Sequence, residues 1–222
     1  QLSFEYADFR ASVVDRVKYR LFFKLDKTGD SFMGRSEIHF NLKEKTPDLT
    51  IDFTEGKIVN LLVNGETEPV RYNGQFIHLS EKNLRPGQNI VTVDFSHPYS
   101  QSGVGLHRFV DPEDGSVYMY TDFEPFDSNR LFPGFDQPNL KGSFELTVEA
   151  PKDWQIISSV EPGQVKLKGD VKGWEFPSSA KFSTYIFSLH AGPYNMWQDD
   201  KGRYPTKLYA RRSLARYVNA DE

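Results

Sequence analysis

Residues 17–25 read VKYRLFFKL, and an apolar side chain occupies every second position of this stretch. Three of the four intervening residues are Lys or Arg, so the pattern has the period of two that is typical of a β-strand. Such a strand covers a core with one face and meets solvent with the other. Residues 38–42 alternate in the same way, and the turn residues 28–30 separate the two stretches. Together they predict the first two strands of an antiparallel sheet.

Turn signals and short strand-like stretches continue along the chain. Asn64-Gly65 and Asn73-Gly74 favour hairpin turns, because a type I′ turn needs positive φ at both central positions. Residues 161–173 are rich in Gly and Lys and predict an exposed hairpin. We therefore predict an all-β, mostly antiparallel fold. The further strand-like stretches are residues 58–63, 70–72, 75–79, 90–95, 117–121, 143–150, 155–159, 174–176, 184–190 and 207–210.

The composition is that of an ordinary soluble globular domain, since 38% of the 222 residues are hydrophobic and 26% are charged. The net charge is -4, so the chain lacks the basic surface that nucleic-acid binding requires. The absence of cysteine excludes disulfides and thiolate metal sites but does not distinguish a cytoplasmic from a periplasmic location. No apolar stretch approaches the roughly 20 residues that span a bilayer, so we expect no membrane span.

The one helical pattern in the sequence lies at its C-terminal end. Leu214, Tyr217 and Val218 have the i, i+3, i+4 spacing of a helix face, and Ser213 is placed to cap the first turn. Because the pattern runs to the last residue, we expect the helix to continue beyond it. The first residue is Gln1 instead of methionine, which indicates a trimmed or processed chain.

The histidines form no metal-binding pattern. No two of them stand at the short helical spacing that zinc pairs use, and the sequence contains no HExxH motif and no calcium-loop pattern. We expect all five to be structural or surface residues, and we assign no metal ligand and no catalytic residue in this chain. The G-x-S-x-G motif and a glycine-rich phosphate loop are also missing. The five are His39, His78, His97, His107 and His190.

Carboxylates are densest between residues 106 and 141. Asp122 and Glu124 would share a strand face if the strand at residues 117–121 continued through them. Such a pair could bind a cationic group or act in a glycosidase, although two residues two apart cannot flank a sugar from both sides. From their chemistry alone, the simpler interpretation is a set of solvated acidic loops with local ion pairs.

The same stretch carries two long motifs. Residues 118–125 read YMYTDFEP, and residues 126–141 read FDSNRLFPGFDQPNLK. The first resembles the Y-x-Y-[TS]-Q-F-E-P segment of the aminopeptidase N family of zinc peptidases. The second resembles the D-A-R-x-x-F-P-C-F-D-[EQ]-P-x-x-K signature of that family. Residues 105–112, GLHRFVDP, are similar to the approach to this segment in bacterial members, and the similarity extends over nearly the whole chain.

The resemblance implies a particular architecture. In the family, the N-terminal domain is a saddle-shaped, mostly antiparallel β-structure packed against a thermolysin-like catalytic domain. We therefore expect a β-sandwich-like domain over residues 1–210, and a linker with the first helical turns of a missing catalytic domain over residues 211–222. Zinc, the GAMEN loop and the HExxH motif belong to that second domain in the family. We expect this chain alone to be inactive, to bind no zinc and to present an apolar face where the catalytic domain docks.

The resemblance also assigns roles to two residues. In the family, a Q-x-[EQ] pair after Y-x-Y-[TS] reaches the active site. Its first member lines the pocket for the first side chain of the substrate, and its second contacts the free α-amino group. Asp122 and Glu124 stand at these positions. Glu124 is the acidic one of the two residues, Glu and Gln, that the family has at this position. Asp122 replaces the usual Gln and adds a negative charge that favours substrates with a basic first side chain.

The remainder of the signature predicts structure more than chemistry. Pro133 and Pro138 would shape the loop that holds Asp122 and Glu124 in place, and its phenylalanines are expected in the core or at a domain contact. Gly134 replaces the common Cys of the motif, which we expect to be a packing difference. The remaining expectation for this segment is a local ion pair between Arg130 and Asp136.

Taken together, these features predict the scaffolding and substrate-amine-recognition domain of a zinc aminopeptidase that removes N-terminal amino acids from peptides. Its partners would be the catalytic domain of the same polypeptide and the N-terminus of a peptide substrate. A free-standing β-sandwich module that binds carbohydrate or peptide is the alternative, because an all-β composition permits it equally. The reading frame after Glu222 distinguishes the two: GAMEN and HExxH motifs would indicate the peptidase, and a stop codon the module.

Overall fold

A computed structural model describes residues 2–47 and 49–219. Its α-helix is α1 (Phe4–Val13), and short 3-10 helices cover Ser128–Arg130, Thr184–Ile186 and Arg212–Tyr217. In chain order the strands are β1 (Val14–Lys24), β2 (Ser31–Leu42), β3 (Thr50–Asp52), β4 (Lys57–Val63), β5 (Glu66–Thr67), β6 (Phe76–His78), β7 (Gly87–Pro98), β8 (Gly105–Val110), β9 (Val117–Asp122), β10 (Gly142–Pro151), β11 (Gln155–Ser158), β12 (Gln164–Lys168), β13 (Val171–Phe176), β14 (Leu189–Gly192), β15 (Asn195–Asp199) and β16 (Thr206–Ala210).

Eight strands form the largest sheet, in the order β12-β13-β10-β1-β2-β7-β4-β5. A four-stranded sheet has the order β11-β14-β9-β8, and the pairs β15-β16 and β3-β6 form two-stranded ribbons. β1 and β10 pair in parallel, and the other pairs of named strands in the described residues are antiparallel. The predicted all-β, mostly antiparallel fold is therefore confirmed.

The alternating side chains of β1 divide as their pattern predicts. Val17, Tyr19, Leu21 and Phe23 are all buried in one hydrophobic core, which also receives Met119 from the four-stranded sheet. Two sheets that share a core through one face each make a sandwich-like architecture. The other face of the large sheet carries the charged residues of β1 and its neighbours, half-buried or exposed.

α1 is the main element that the sequence pattern did not reveal. Ser3 caps the helix, since its Oγ accepts a hydrogen bond from Tyr6 N at 3.2 Å, and Glu5 lies in the first turn, where a carboxylate is favourable. The expectation of a helix only at the C-terminal end was wrong because α1 shows no continuous apolar stripe. It buries the guanidinium group of Arg10 instead, which no hydropathy pattern would select.

The two Asn-Gly turns differ. At Asn64-Gly65 both residues have positive φ, 55° and 89°, and the turn joins β4 to β5 as a hairpin. At Asn73-Gly74 only the glycine has positive φ. Asn73 Oδ1 instead accepts hydrogen bonds from the backbone amides of Gln75 and Phe76. This second turn is an Asx turn, in which the side chain takes the place of a backbone acceptor.

The C-terminal part of the described chain departs from the sequence pattern in two places. Residues 184–190, predicted as a strand, begin as the 3-10 helix Thr184–Ile186, and β14 starts only at Leu189. A helix does follow residue 211, as a 3-10 helix without a side-chain cap, and Ser213 lies inside it. The last three residues of the predicted helix lie outside the described residues. No helix in residues 2–47 and 49–219 has the length and hydropathy needed to cross a bilayer.

Candidate functional site

Asp122 and Glu124 lie at one end of the four-stranded sheet. Asp122 is the last residue of β9 and is paired with Gly105 of β8. β9 ends there, so the strand does not continue through Glu124, but Phe123 between them is buried and both carboxylates are exposed. The strand-like alternation thus persists for two residues beyond the strand. The Glu124 amide lies 3.5 Å from Asp122 Oδ1, and the Glu124–Pro125 peptide bond is cis.

The loop that follows Glu124 is anchored by aromatic side chains. Phe123, Phe132 and Phe135 are at most 2% exposed, which confirms that they belong to the core. The ring of Phe135 packs edge-on against Phe40 of β2, and its amide donates a hydrogen bond to the Tyr19 hydroxyl at 3.0 Å. Closely packed buried rings hold a loop more rigidly than polar surface contacts do. The loop next to Asp122 and Glu124 is therefore held rigidly by its core contacts.

Gly134 sits where this support is most crowded. A Cβ at this position would lie 3.1 Å from Cε1 of Tyr19 and 3.2 Å from Cε2 of Phe132, closer than ordinary van der Waals contact. A larger residue here would therefore require the two rings to move apart by a few tenths of an ångström. Glycine at this position is thus coupled to the packing of Tyr19 against the loop.

Arg130 does not pair with Asp136, and that expectation was wrong. Its Nε donates to Asp127 Oδ1 at 3.0 Å, and its Nη1 lies 2.8 Å from Oε2 of Glu55. Partial burial raises the pKa of Asp127, and the charges of Asp136 and Asp122 act in the same direction, against the opposing effect of Arg130. Hydrogen bonding to Glu55 raises the pKa of Arg130. The arginine thus connects the loop after Glu124 to the segment that follows β3.

Asp136 belongs instead to a set of interior polar groups. Its Oδ2 accepts hydrogen bonds from the backbone amide and Nδ2 of Asn129, at 2.9 and 2.8 Å, and its Oδ1 accepts one from Thr184 Oγ1 at 2.6 Å. Six residues, all at most 4% exposed, make up what we call the buried network. They are Arg10, Asp52, Asn129, Asp136, Gln137 and Thr184. No local sequence pattern indicates this network, because Arg10, Asp52 and Thr184 are far along the chain from residues 129–137.

A cleft of about 480 Å³ opens beside the loop. Pro125 and Phe126, directly after Glu124, form part of its wall, and Phe76 and Arg130 contribute from other elements. Its lining mixes aromatic and charged groups, so it could accept a chain that is partly apolar and partly polar. Glu124 itself projects from the exposed segment next to Pro125.

The described residues contain no group of three or more His, Asp or Glu side chains that could hold a metal ion. His97 is buried, with its ring nitrogens 2.7 Å from the Pro98 carbonyl oxygen and 2.8 Å from that of Thr54. His39 lies 2.5 Å from Glu37, and burial lowers the pKa of His190. His97 and His39 thus have contacts that account for them as parts of the fold, and His190 lies in β14 opposite Tyr120 of β9.

The fold and the site define the class: an all-β domain that presents two exposed carboxylates on a rigidly supported loop at the end of a strand. A family model described as the Peptidase M1 N-terminal domain matches residues 16–186. The chain belongs to the M1 peptidase family, as an N-terminal domain of that family.

Three relatives illustrate the similarity. "Aminopeptidase N" of Streptomyces lividans is 32% identical over 228 residues, which cover 99% of this chain and 26% of the relative. "Glutamyl aminopeptidase" of Rattus norvegicus is 31% identical over 84% of this chain and 22% of the relative. "Probable M1 family aminopeptidase 1" of Encephalitozoon cuniculi is 32% identical over 74% of this chain and 19% of the relative. The chain therefore spans about a quarter or less of the length of these relatives.

Proposed function

We propose that this chain is the scaffolding and substrate-amine-recognition domain of a zinc-dependent aminopeptidase that removes N-terminal amino acids from peptides. The observation that carries the proposal is the placement of Glu124. It is exposed, it directly follows a buried phenylalanine at the end of β9, and it lies in an M1 N-terminal domain that matches relatives named as aminopeptidases.

Glu124 has the chemistry that an amine-recognising group needs. A carboxylate opposite the free α-ammonium group of a peptide forms a charge-assisted contact that contributes roughly 1.5–3 kcal/mol when it is well formed. A peptide with a blocked amine would leave the same carboxylate desolvated and without a partner, which is costly. Glu124 would therefore select for free N-termini and so favour removal of single terminal residues.

The bond-breaking chemistry would belong to the following domain. Zinc held there would activate a water molecule for attack on the peptide bond. The residues described here supply substrate contacts and support, and we propose that the 222-residue chain alone is inactive. Residues 1–210 would form the β domain, and residues 211–222 the start of the connection to the catalytic domain.

The C-terminal end of the described chain has features that suit a docked domain. Five large apolar side chains between residues 196 and 217 are exposed, and the β15–β16 register places Met196 and Leu208 on opposite faces of the ribbon. Single exposed apolar residues are normal on a protein surface, and we propose that the docked domain covers part of this set. These residues are Met196, Tyr204, Leu208, Leu214 and Tyr217.

Polar contacts fasten the same end to the β8–β9 hairpin. Asp111 accepts hydrogen bonds from Arg211 Nη1 at 3.0 Å and Ser213 Oγ at 2.7 Å, and Arg216 lies 2.7 Å from Glu113. The hydrogen bond from Ser213, together with the neighbouring backbone amide and Arg211, lowers the pKa of Asp111. The hairpin that ends in the carboxylate pair is thereby linked to the point where the chain would leave for the next domain.

The hydrolysis of a panel of aminoacyl-p-nitroanilides, by the 222-residue chain and by the full-length polypeptide, tests the proposal. We expect only the full-length protein to cleave, and we expect Glu124→Ala to lower kcat/KM by about tenfold or more, in line with one lost charge-assisted contact. Glu81→Ala removes an exposed surface carboxylate and serves as the matched control.

Cleavage by the short chain, or an unchanged Glu124→Ala enzyme, would contradict the assignment. If neither protein cleaves any substrate, the alternative of a carbohydrate- or peptide-binding module becomes the one to test.

The same panel reports on Asp122. If its carboxylate faces the first side chain of the substrate directly, Lys and Arg substrates should be favoured, because opposite charges attract. Two relatives are named as glutamyl aminopeptidases. A preference for Glu in this protein would contradict this expectation, since like charges at short range repel. The Asp122→Asn variant should weaken the preference for Lys and Arg substrates.

A further inference from the structure

Arg10 carries a positive charge from α1 into the interior of the domain. Its side chain is 0% exposed. Nη1 donates to Asp52 Oδ1 at 2.9 Å, Nη2 lies 2.8 Å from Asp52 Oδ2, and Nε donates to Gln137 Oε1 at 2.6 Å. The guanidinium carbon also lies 5.6 Å from the centre of the Phe135 ring. One side chain of the N-terminal helix thus contacts both the β3 strand and the loop that follows Glu124.

Asp52 connects Arg10 to residues 134–136 of the loop that follows Glu124. Its Oδ2 accepts a hydrogen bond from the Asp136 amide at 2.7 Å. Its own amide donates to the Gly134 carbonyl at 2.8 Å, and its carbonyl accepts from the Gly134 amide at 3.1 Å. The position of residues 134–136 is therefore set by Asp52, and the orientation of the Asp52 carboxylate is set by Arg10.

The connection then reaches the segment that contains Glu124. Asp136 holds both the amide and the side chain of Asn129, as described above, and the Asn129 side chain points back to the Phe126 carbonyl oxygen at 3.4 Å. The amide of Asp127 donates to the Phe123 carbonyl at 3.0 Å and closes the turn in which Glu124 lies. A continuous series of contacts thus runs from Arg10 to the residues on either side of Glu124.

Burial of the Arg10–Asp52 ion pair costs free energy, which calls for a reason other than stability. Removing two charges from water is expensive, and replacement of a buried ion pair by apolar residues is often neutral or stabilising. Stability alone is therefore a weak reason to keep Arg10 and Asp52 in the interior. A planar guanidinium that binds a carboxylate with two of its nitrogens does fix an orientation, which an apolar pair would not.

We propose that Arg10 is a positioning residue for Glu124, acting through Asp52, Asp136 and Asn129. This inference rests on the proposed function of Glu124. It makes the N-terminal helix part of the substrate-binding apparatus, although α1 contributes no group that touches the substrate.

A double-mutant cycle in the full-length enzyme tests the inference. Arg10→Lys keeps the charge but loses the fork that orients Asp52, and we expect it to lower kcat/KM for a free-amine substrate by about ten- to a hundredfold, since small displacements at a binding group cost that much. In the Glu124→Ala background, the same change should lower kcat/KM by less than about twofold, because the group that Arg10 positions is gone. A merely structural role would lower activity equally in both backgrounds.

Two further variants keep the test decisive. Arg35→Lys alters an exposed arginine that pairs with Asp94, and it should leave kcat/KM unchanged. If Arg10→Lys fails to fold in a thermal unfolding assay, Asn129→Ala replaces it, because it removes the side-chain link between Asp136 and Phe126 and leaves the Arg10–Asp52 ion pair intact. Equal losses in both Glu124 backgrounds, or no loss in either, would overturn the inference alone. An unchanged Glu124→Ala single variant would overturn the proposed function with it.

Discussion

Two polar regions of this domain use the same residue types in opposite surroundings. On the outer face of the eight-stranded sheet, six partly or largely exposed charges form what we call the outer ladder. The cross-strand register places Arg20 opposite both Glu37 and Glu145, and Arg35 opposite Asp94. The buried network has the same kinds of ion pair with no access to solvent. The outer ladder consists of Lys18, Arg20, Arg35, Glu37, Asp94 and Glu145.

The carboxyl groups of the two regions respond differently to their partners. Contacts with Lys18 and Arg20 lower the pKa of Glu145. Burial raises the pKa of Asp52, even though Arg10 acts against the change. At Glu145 attraction exceeds the small loss of hydration, and at Asp52 the loss of hydration exceeds attraction. The exposed pairs therefore contribute little and are easily replaced, whereas the loss of one charged member of the buried network leaves the other without a counter-charge.

Removal of Arg10 should give the largest effect. Arg10→Met leaves Asp52 buried without its counter-charge, and we expect a loss of about 3–5 kcal/mol in the free energy of unfolding. Urea unfolding followed by tryptophan fluorescence measures it. Arg35→Met makes the same chemical change in the outer ladder and should cost less than about 1 kcal/mol. Equal losses for the two variants would remove the distinction between the regions.

Loss of a single hydrogen bond in the buried network should give an intermediate effect. Thr184→Val removes the hydroxyl that donates to Asp136 and should cost roughly 1.5–3 kcal/mol, because the acceptor is a buried carboxylate. Thr147→Val, on the outer face of β10, is the matched control and should stay within about 0.5 kcal/mol. The same urea titration compares them. A Thr184→Val protein as stable as the control would show that Asp136 does not depend on this donor.

The smallest effect should come from Glu145→Gln in the outer ladder. At neutral pH the substitution should cost less than about 1 kcal/mol, and high salt should reduce the loss further. Glu145 has a lowered pKa in the folded state, so it stabilises the fold above its unfolded pKa of about 4.3. That contribution is lost as the pH falls through the folded value. Wild type and variant should therefore converge in stability in acid, and a difference that grows towards low pH would contradict this sign.

Part of the candidate site could be predicted from sequence and part could not. The resemblance of residues 118–141 to a family motif singled out Asp122 and Glu124, and whether they contact substrate stays a prediction. Their exposure and the cis bond after Glu124 came from the structure. The contact of Arg130 with Glu55 came from there too, because Glu55 is distant in sequence and no local pattern connects the two.

The strands whose side chains alternate, such as β1 and β2, and the hairpin at Asn64-Gly65 follow from local sequence alone. These depend on the period of two and on backbone conformations that are properties of a few neighbouring residues. The helix at residues 4–13 and the contacts of Arg10 with Asp52 and Gln137 depend instead on tertiary packing. Those contacts join residues that are 42 and 127 positions apart. The partners of a buried polar group are set by the tertiary fold, and a local sequence pattern does not indicate which distant residues they are.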